Sequence, residues 1–231
     1  MLDARLLPTR VAKSINRKNQ AFERSIFQVT NNLGLYLPEG NSFKLPIAYR
    51  RQLDNTGFKG YRECCLTSNT MAIDYVTRGR LSEIASQKGY REPEDAYAVA
   101  LKQYGDTTIP QAHIPTAAEF GVKMSFKQNL SYEVAVEILQ AGYPLVAGVD
   151  YKDVGHYVCF AGIHKRAFYT HDPYGERDGA SDRYLNHDHG EYDFYSRDLL
   201  NKVWLDLGPA AGWGFVIYEV DGVKTEIAKF A

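Results

Sequence analysis

The sequence predicts an α+β fold on two observations. Helical periodicity occupies the middle of the chain, and β-branched and aromatic runs occupy the part after residue 143. Short polar separators between those runs, Lys152-Asp153 and His164-Lys165, mark turns between neighbouring strands.

In order along the chain, residues 11–30 mix Lys, Arg, Asn and Gln with scattered apolar positions and no clean period. Leu35-Tyr36-Leu37-Pro38-Glu39-Gly40 and Phe43-Lys44-Leu45-Pro46 read as two short extended pieces broken by turns. Residues 1–45 therefore read as an N-terminal arm or small β appendage, too short for an independent core, and residues 46–231 as one domain. The stretch Cys64–Val76 sets Leu66, Thr70, Ile73 and Val76 on one helical stripe and turns Asp74 and Thr77 elsewhere. Further helices are expected over residues 78–89, 92–104 and 114–120, the second opened by Pro93-Glu94-Asp95. A helix over 131–140 carries Val134, Val136, Ile138 and Leu139 and ends at Gly142. Strands are expected over 144–149, 156–163, Ala167–His171 and 214–220. The result is a helical lobe facing an antiparallel sheet, with a cleft between them. No internal repeat or low-complexity segment interrupts this order.

Four residues carry the chemistry: Gln52, Cys64, His156 and Asp172. Cys64 opens a helix, where unpaired N–H groups and the helix dipole favour a thiolate. His156 sits in Gly155-His156-Tyr157-Val158-Cys159-Phe160, a strand, and Asp172 ends the next strand before Pro173-Tyr174-Gly175. The sixteen residues from His156 to Asp172 suit adjacent antiparallel strands, which would set carboxylate beside imidazole. A thiolate nucleophile, an imidazole that takes and returns a proton, and a carboxylate that orients the ring are the parts of nucleophilic catalysis. Gln52, twelve residues before the thiol, could donate a side-chain N–H to an oxyanion. Cys65 lies about 100° round the helix from Cys64 and reads as core. Cys159, three residues after His156 on a strand, falls on the opposite face and also reads as core.

The set is similar to the C39-like cysteine peptidases of the papain-like superfamily, above all a phage and bacterial branch. The resemblance rests on Gln52-Leu53-Asp54-Asn55, then Cys64 with Thr67-Ser68 and Met71, then Gly155-His156, then Asp172-Pro173-Tyr174-Gly175, in that order and over roughly residues 46–220. Cys65 departs from the pattern, where the family more often has Gly or Asn. The resemblance implies a papain-like fold, peptide-bond hydrolysis, no cofactor, and a peptide or peptidoglycan substrate for a lysin or virion-associated endopeptidase. Three alternatives stand beside it: a leader-processing peptidase, a transglutaminase-type acyltransferase using the same three residues, and a catalytically silent binding or virion structural module. Trp204 and Trp213, flanking Gly208-Pro209-Ala210-Ala211-Gly212, resemble a C-terminal loop of phage members and hint at a substrate subsite.

Composition excludes several classes. The 231 residues are 45% hydrophobic and 24% charged with a net charge of −1, which carries no nucleic-acid or membrane signature. Residues 1–60 hold ten Lys/Arg against four Asp/Glu, a basic segment without a continuous run that reads as a solvated surface; attachment to an anionic polymer is the alternative. Three cysteines, two of them adjacent, do not make a disulfide scaffold. The start, Met1-Leu2-Asp3-Ala4-Arg5, lacks the apolar core of a secretory signal, and no stretch approaches about 20 apolar residues. Synthesis in the cytoplasm, with release by lysis or carriage in a virion, is the expectation. Asp178, Asp182, His187, Asp188 and His189 lack a recognisable metal-ligand spacing and read as a solvated loop.

Overall fold

The computed structural model describes residues 42–55, 60–151, 154–178 and 183–231. Up to residue 41, the arm expected over residues 1–45 lies outside the described residues. From Ser42 onward the chain has the α+β architecture read from the sequence. Helices α1 (Cys64–Val76), α2 (Arg80–Lys88), α3 (Pro93–Leu101) and α4 (Pro110–Glu119) precede nearly all of the sheet. Helices α5 (Tyr132–Gln140) and α6 (Arg197–Val203) sit between strands.

The strands are β1 (Ser42–Lys44), β2 (Val122–Leu130), β3 (Leu145–Tyr151), β4 (Val154–His164), β5 (Ala167–His171), β6 (Glu176–Asp178), β7 (Arg183–Asn186), β8 (Asp193–Ser196), β9 (Gly212–Val220) and β10 (Val223–Lys224). The main sheet runs β10-β9-β3-β4-β5-β8, with β2 added on β9 and β1 on β4, while β6 and β7 form a separate ribbon. The pairings among these strands are antiparallel.

Local chemistry sets the helix ends. Pro93 occupies the first turn of α3, where its missing N–H costs nothing. Ser131 caps α5 by accepting the Val134 N–H at 3.3 Å. At the other end of α5, Gly142 takes a φ of 88°. The N–H of Gly142 then bonds to Leu139 and that of Tyr143 to Ile138, a Schellman closure that only a residue without a Cβ makes cheaply. Of the stripe expected on α5, Val136, Ile138 and Leu139 are buried, whereas Val134 is half-buried and Ala135 takes its place.

The single stripe expected on α1 is too narrow. Every residue from Cys65 to Ile73 is buried, because α1 lies between strands β3 and β4 and helices α2, α3 and α4. A helix enclosed on all sides shows no amphipathic signature. Two aromatic cores pack on the sheet. Tyr157, Phe215 and Phe126 pack together and reach the helical lobe through His113 and Tyr97. Phe160, by strand alternation on the other face from Tyr157, packs with Phe168 and Trp204, and Tyr132 of α5 stacks on Phe168.

One irregularity decides where Asp172 points. The β4–β5 hairpin pairs His164 with Ala167, Ile163 with Phe168 and Gly162 with Tyr169, but beyond that Phe160 pairs with Thr170 and Cys159 with His171. Ala161 is the extra residue of a bulge. Continuing this register sets Asp172 opposite Val158, on the same strand face as His156; without the bulge it would fall opposite Cys159, on the other face.

Strand β2 is absent from the sequence reading, although Val122, Met124 and Phe126 alternate with Lys123, Ser125 and Lys127. Its two lysines and the Gln128-Asn129 end diluted the β signal, and pairing with β9 supplies the missing stability.

Gly162, next to the bulge, has β1 against it. A Cβ there would lie 2.3 Å from the Phe43 carbonyl oxygen and 2.9 Å from Lys44 Cα. Gly162→Ala is therefore expected to lower stability by about 1–3 kcal/mol, measured by chemical denaturation. An unchanged midpoint would show that β1 moves off β4 at no cost.

Candidate active site

Cys64 is the first residue of α1, half-buried, with Glu63 as the cap position before it. Its placement is built by the residues around it. The Gly60 carbonyl accepts both the Gln52 side-chain amide, at 2.7 Å, and the Glu63 N–H, at 3.1 Å. A Cβ on Gly60 would stand 2.4 Å from the Gln52 carbonyl oxygen, so this close approach requires glycine. Asn55 donates to Glu63 Oε2 at 2.6 Å and to Thr67 Oγ1 at 3.1 Å, clamping the first turn of the helix. Ser68 ties the next turn to the sheet by donating to the Tyr157 carbonyl at 3.1 Å, one residue past His156. Met71 accepts the Arg50 N–H at 3.3 Å. The Gln52-Leu53-Asp54-Asn55 and Cys64-to-Met71 strings are thus one interlocked structure.

His156 is buried on β4, and its Nε2 lies 2.8 Å from Asp172 Oδ1. The Cys64 sulfur acts electrostatically on the same ring. Burial alone would depress its proton affinity. The Asp172 carboxylate and the Cys64 sulfur outweigh that and push it up to about 10. Two other buried histidines go the opposite way. Burial holds His113 and His171 down to about 4, neutral and hydrogen-bonded to the backbone carbonyls of Thr107 and Ile47. Of these three buried rings, His156 is the one that bonds a carboxylate.

Asp172 is fully buried, and its side chain accepts from four donors: His156 Nε2, the Tyr174 N–H at 2.9 Å, the Tyr195 hydroxyl at 2.8 Å and the Tyr184 hydroxyl at 3.0 Å. The Tyr49 hydroxyl donates to its backbone carbonyl at 3.0 Å. Gln52 joins this turn as well, its backbone N–H donating to the Pro173 carbonyl at 2.9 Å. His156 bonds Asp172, Gln52 bonds the turn that follows Asp172, and Gln52 reaches the start of the Cys64 helix through the Gly60 carbonyl. The tyrosines were missed. Their number in the sequence hid the few that matter, and only the fold brings β7 and β8 to Asp172.

Cys65 is buried, its thiol pushed up by the loss of solvent and by the neighbouring Cys64, with Asn69 Nδ2 3.4 Å from its sulfur. Cys159 is fully buried and also pushed up by burial. Trp204 is fully buried, donating its indole N–H to the Trp213 carbonyl at 3.0 Å. It is a core residue, which corrects the hint of a subsite there. Trp213 is half-buried and lies against Gly148, with an edge 3.9 Å from where a Gly155 Cβ would be. In the acidic loop, His187 Nδ1 lies 3.0 Å from the Tyr174 carbonyl and Asp188 pairs with Arg51 at 3.3 Å. Asp182 lies outside the described residues, and among the described residues no group of His, Cys, Asp and Glu could hold a metal ion.

Glu94 is a separate feature near this site. It is 1% exposed, and neither carboxylate oxygen has a hydrogen-bond partner among the described residues. Burial raises it to about 8; Arg50 opposes the shift, and Glu92 and Asp54 add to it. A group whose folded pKa is raised stabilises the fold below its unfolded value and loses that contribution as pH climbs through the folded one.

Two outcomes follow from these environments. Under native conditions near neutral pH, iodoacetamide is expected to label Cys64 and leave Cys65 and Cys159 unmodified, as read by peptide mass spectrometry. Preferential labelling of Cys65 would place the reactive thiol one residue later. For Glu94, the native protein should lose stability between pH 5 and pH 8 by up to about 1.4 kcal/mol per pH unit. Glu94→Gln should flatten that loss, and parallel denaturation curves for the two proteins would contradict the assignment.

Among the described residues no helix is long and apolar enough to cross a membrane. No curated protein and no solved structure matches the chain. A family profile does: residues 44–208, which include the Gln52 turn, the Cys64 helix, His156 and Asp172, match the Peptidase_C39 like family. With the profile spanning well over half of the sequence, the chain belongs to the Peptidase_C39 like family, the C39-like cysteine peptidases.

Proposed function

We propose that the protein hydrolyses peptide bonds with Cys64 as nucleophile, His156 as the acid–base group, Asp172 as the group that orients His156, and Gln52 as an oxyanion donor. One observation carries the reading: the His156 ring bonds the fully buried Asp172 and is acted on by the Cys64 sulfur, with Cys64 at a helix N-terminus. Transfer of the thiol proton to His156 makes the nucleophile. The Cys64 thiolate attacks the substrate carbonyl carbon, and the carbonyl electron pair moves to oxygen. The Cys64 backbone N–H, one of the unpaired donors of the first turn, and the second Gln52 side-chain N–H would stabilise that charge. Collapse of the intermediate breaks the C–N bond, and His156 gives its proton to the departing amine. A water molecule then loses a proton to His156 and attacks the thioester, releasing the acid and restoring the thiol.

For substrate, we favour the short peptides of peptidoglycan. The supporting arguments are the order of motif residues and the open surface over Gly155, where a Cβ would meet nothing nearer than 3.9 Å. A polypeptide backbone can approach a strand closely at such a position.

The test is incubation with purified peptidoglycan and with generic peptides, with products read by mass spectrometry. New amine and carboxyl ends should appear at a defined bond in peptidoglycan. Cys64→Ala and His156→Ala should lower the rate roughly 10³-fold or more. Cleavage that survives Cys64→Ala would refute the nucleophile. Products that carry an added amine in place of water would identify acyl transfer instead of hydrolysis.

A further inference from the structure

Asp172 divides its two oxygens between two sets of donors. Oδ1 takes His156 Nε2–H at 2.8 Å and the Tyr174 N–H at 2.9 Å, while Oδ2 takes the hydroxyls of Tyr195 at 2.8 Å and Tyr184 at 3.0 Å. The tyrosines come from β8 and β7, elements with no other part in the chemistry described above. Since the Tyr195 hydrogen is committed to Asp172, the close contact between the Tyr195 and Tyr151 hydroxyls has Tyr151 as donor. The Arg177 guanidinium lies 3.3 Å over the centre of the Tyr151 ring. Hydroxyl dipoles from Tyr151 through Tyr195 thus run one way, towards the carboxylate, and each polarises the next.

We propose that Tyr184 and Tyr195 are positioning residues of the thiol site, their hydroxyls holding Asp172 Oδ2 so that Oδ1 stays on His156. The proposal rests on the Cys64–His156 reading of the preceding subsection and adds what sustains it. A carboxylate with no exposure needs hydrogen bonds to replace its lost hydration. Two of its four donors are these hydroxyls. With Oδ2 released the carboxylate is free to turn, Oδ1 leaves Nε2, and the charge on His156 loses its partner. Burial and the Asp172 charge push both tyrosines far up, so they remain donors throughout the working range.

The experiment measures the rate of Cys64 alkylation by iodoacetamide from pH 4 to pH 9 in the native protein, Y184F, Y195F and the double variant. Each hydroxyl removed should move the acid limb of the profile upward by about one pH unit, a roughly tenfold slower reaction on the limb. The double variant should move furthest. Y97F is the control for loss of a buried hydroxyl as such. The Tyr97 hydroxyl lies 3.0 Å from His113 Nδ1 in the helical lobe, so the limb should stay where it is. The Tyr184 ring is only half-buried, so Y184F carries the test even if Y195F fails to fold. Coincident limbs in the native protein and the folded variants would overturn the proposal. Alkylation of native Cys64 no faster than that of a free thiol at every pH would instead remove the thiolate reading beneath it.

Discussion

A carboxylate with no solvent contact is the constraint around which this molecule is arranged. Taking an ion of that size out of water costs several kcal/mol even after relaxation, unless partners replace the lost hydration. Asp172 has those partners from four separate pieces of chain: the ring of His156 on β4, the Tyr174 N–H in its own turn, and the hydroxyls of Tyr184 on β7 and Tyr195 on β8. Its backbone is fixed with equal care, by the Gly190 carbonyl at 2.9 Å and the Tyr49 hydroxyl. A Cβ at Gly190 would approach the Asp172 carbonyl oxygen to 2.1 Å, so the returning loop passes too closely for any side chain. The bulge at Ala161 belongs to the same arrangement, since it sets the carboxylate on the face that His156 occupies.

The second half of the site is a helix end held in register with that carboxylate. Gln52 is bonded through its backbone to Pro173 and through its side chain to Gly60, whose carbonyl also receives Glu63 just before the thiol. Asn55 grips Glu63 and Thr67, and Ser68 reaches the strand beside His156. These bonds tie the start of α1 to the strand that carries His156 and to the turn that follows Asp172. Several residues that look like mere spacing in the sequence are therefore the fixtures of the thiol.

The sequence marks the candidate residues more clearly than what surrounds them. Cys64, His156 and Asp172 stood out because each residue type is unusual in its local setting: a thiol opening a helix, an imidazole in an apolar strand, a carboxylate ending one. Helices α3 and α5 were legible from Pro93, Ser131 and Gly142, since caps are local events. Strand β2 was not, because its stability comes from β9, some ninety residues later in the chain. Tyr184 and Tyr195 were hidden for the same reason. Nothing near either one in sequence refers to Asp172, and the bulge that turns Asp172 towards them leaves no local mark. Trp204 misled in the opposite direction. A tryptophan beside a Gly-rich loop suggests a binding surface, yet Gly212 is where the ring packs, with Trp204 atoms 2.6 Å from the position of a Cβ.

The central claim is electrostatic: Cys64 and Asp172 together keep the buried His156 ring charged. NMR titration of the imidazole in ¹⁵N-histidine-labelled protein measures this directly. The expected result is a His156 ring protonated at neutral pH and titrating far above the ordinary value of about 6.5, towards about 10, while His113 and His171 stay neutral. A His156 resonance that titrates at or below the ordinary value would contradict it.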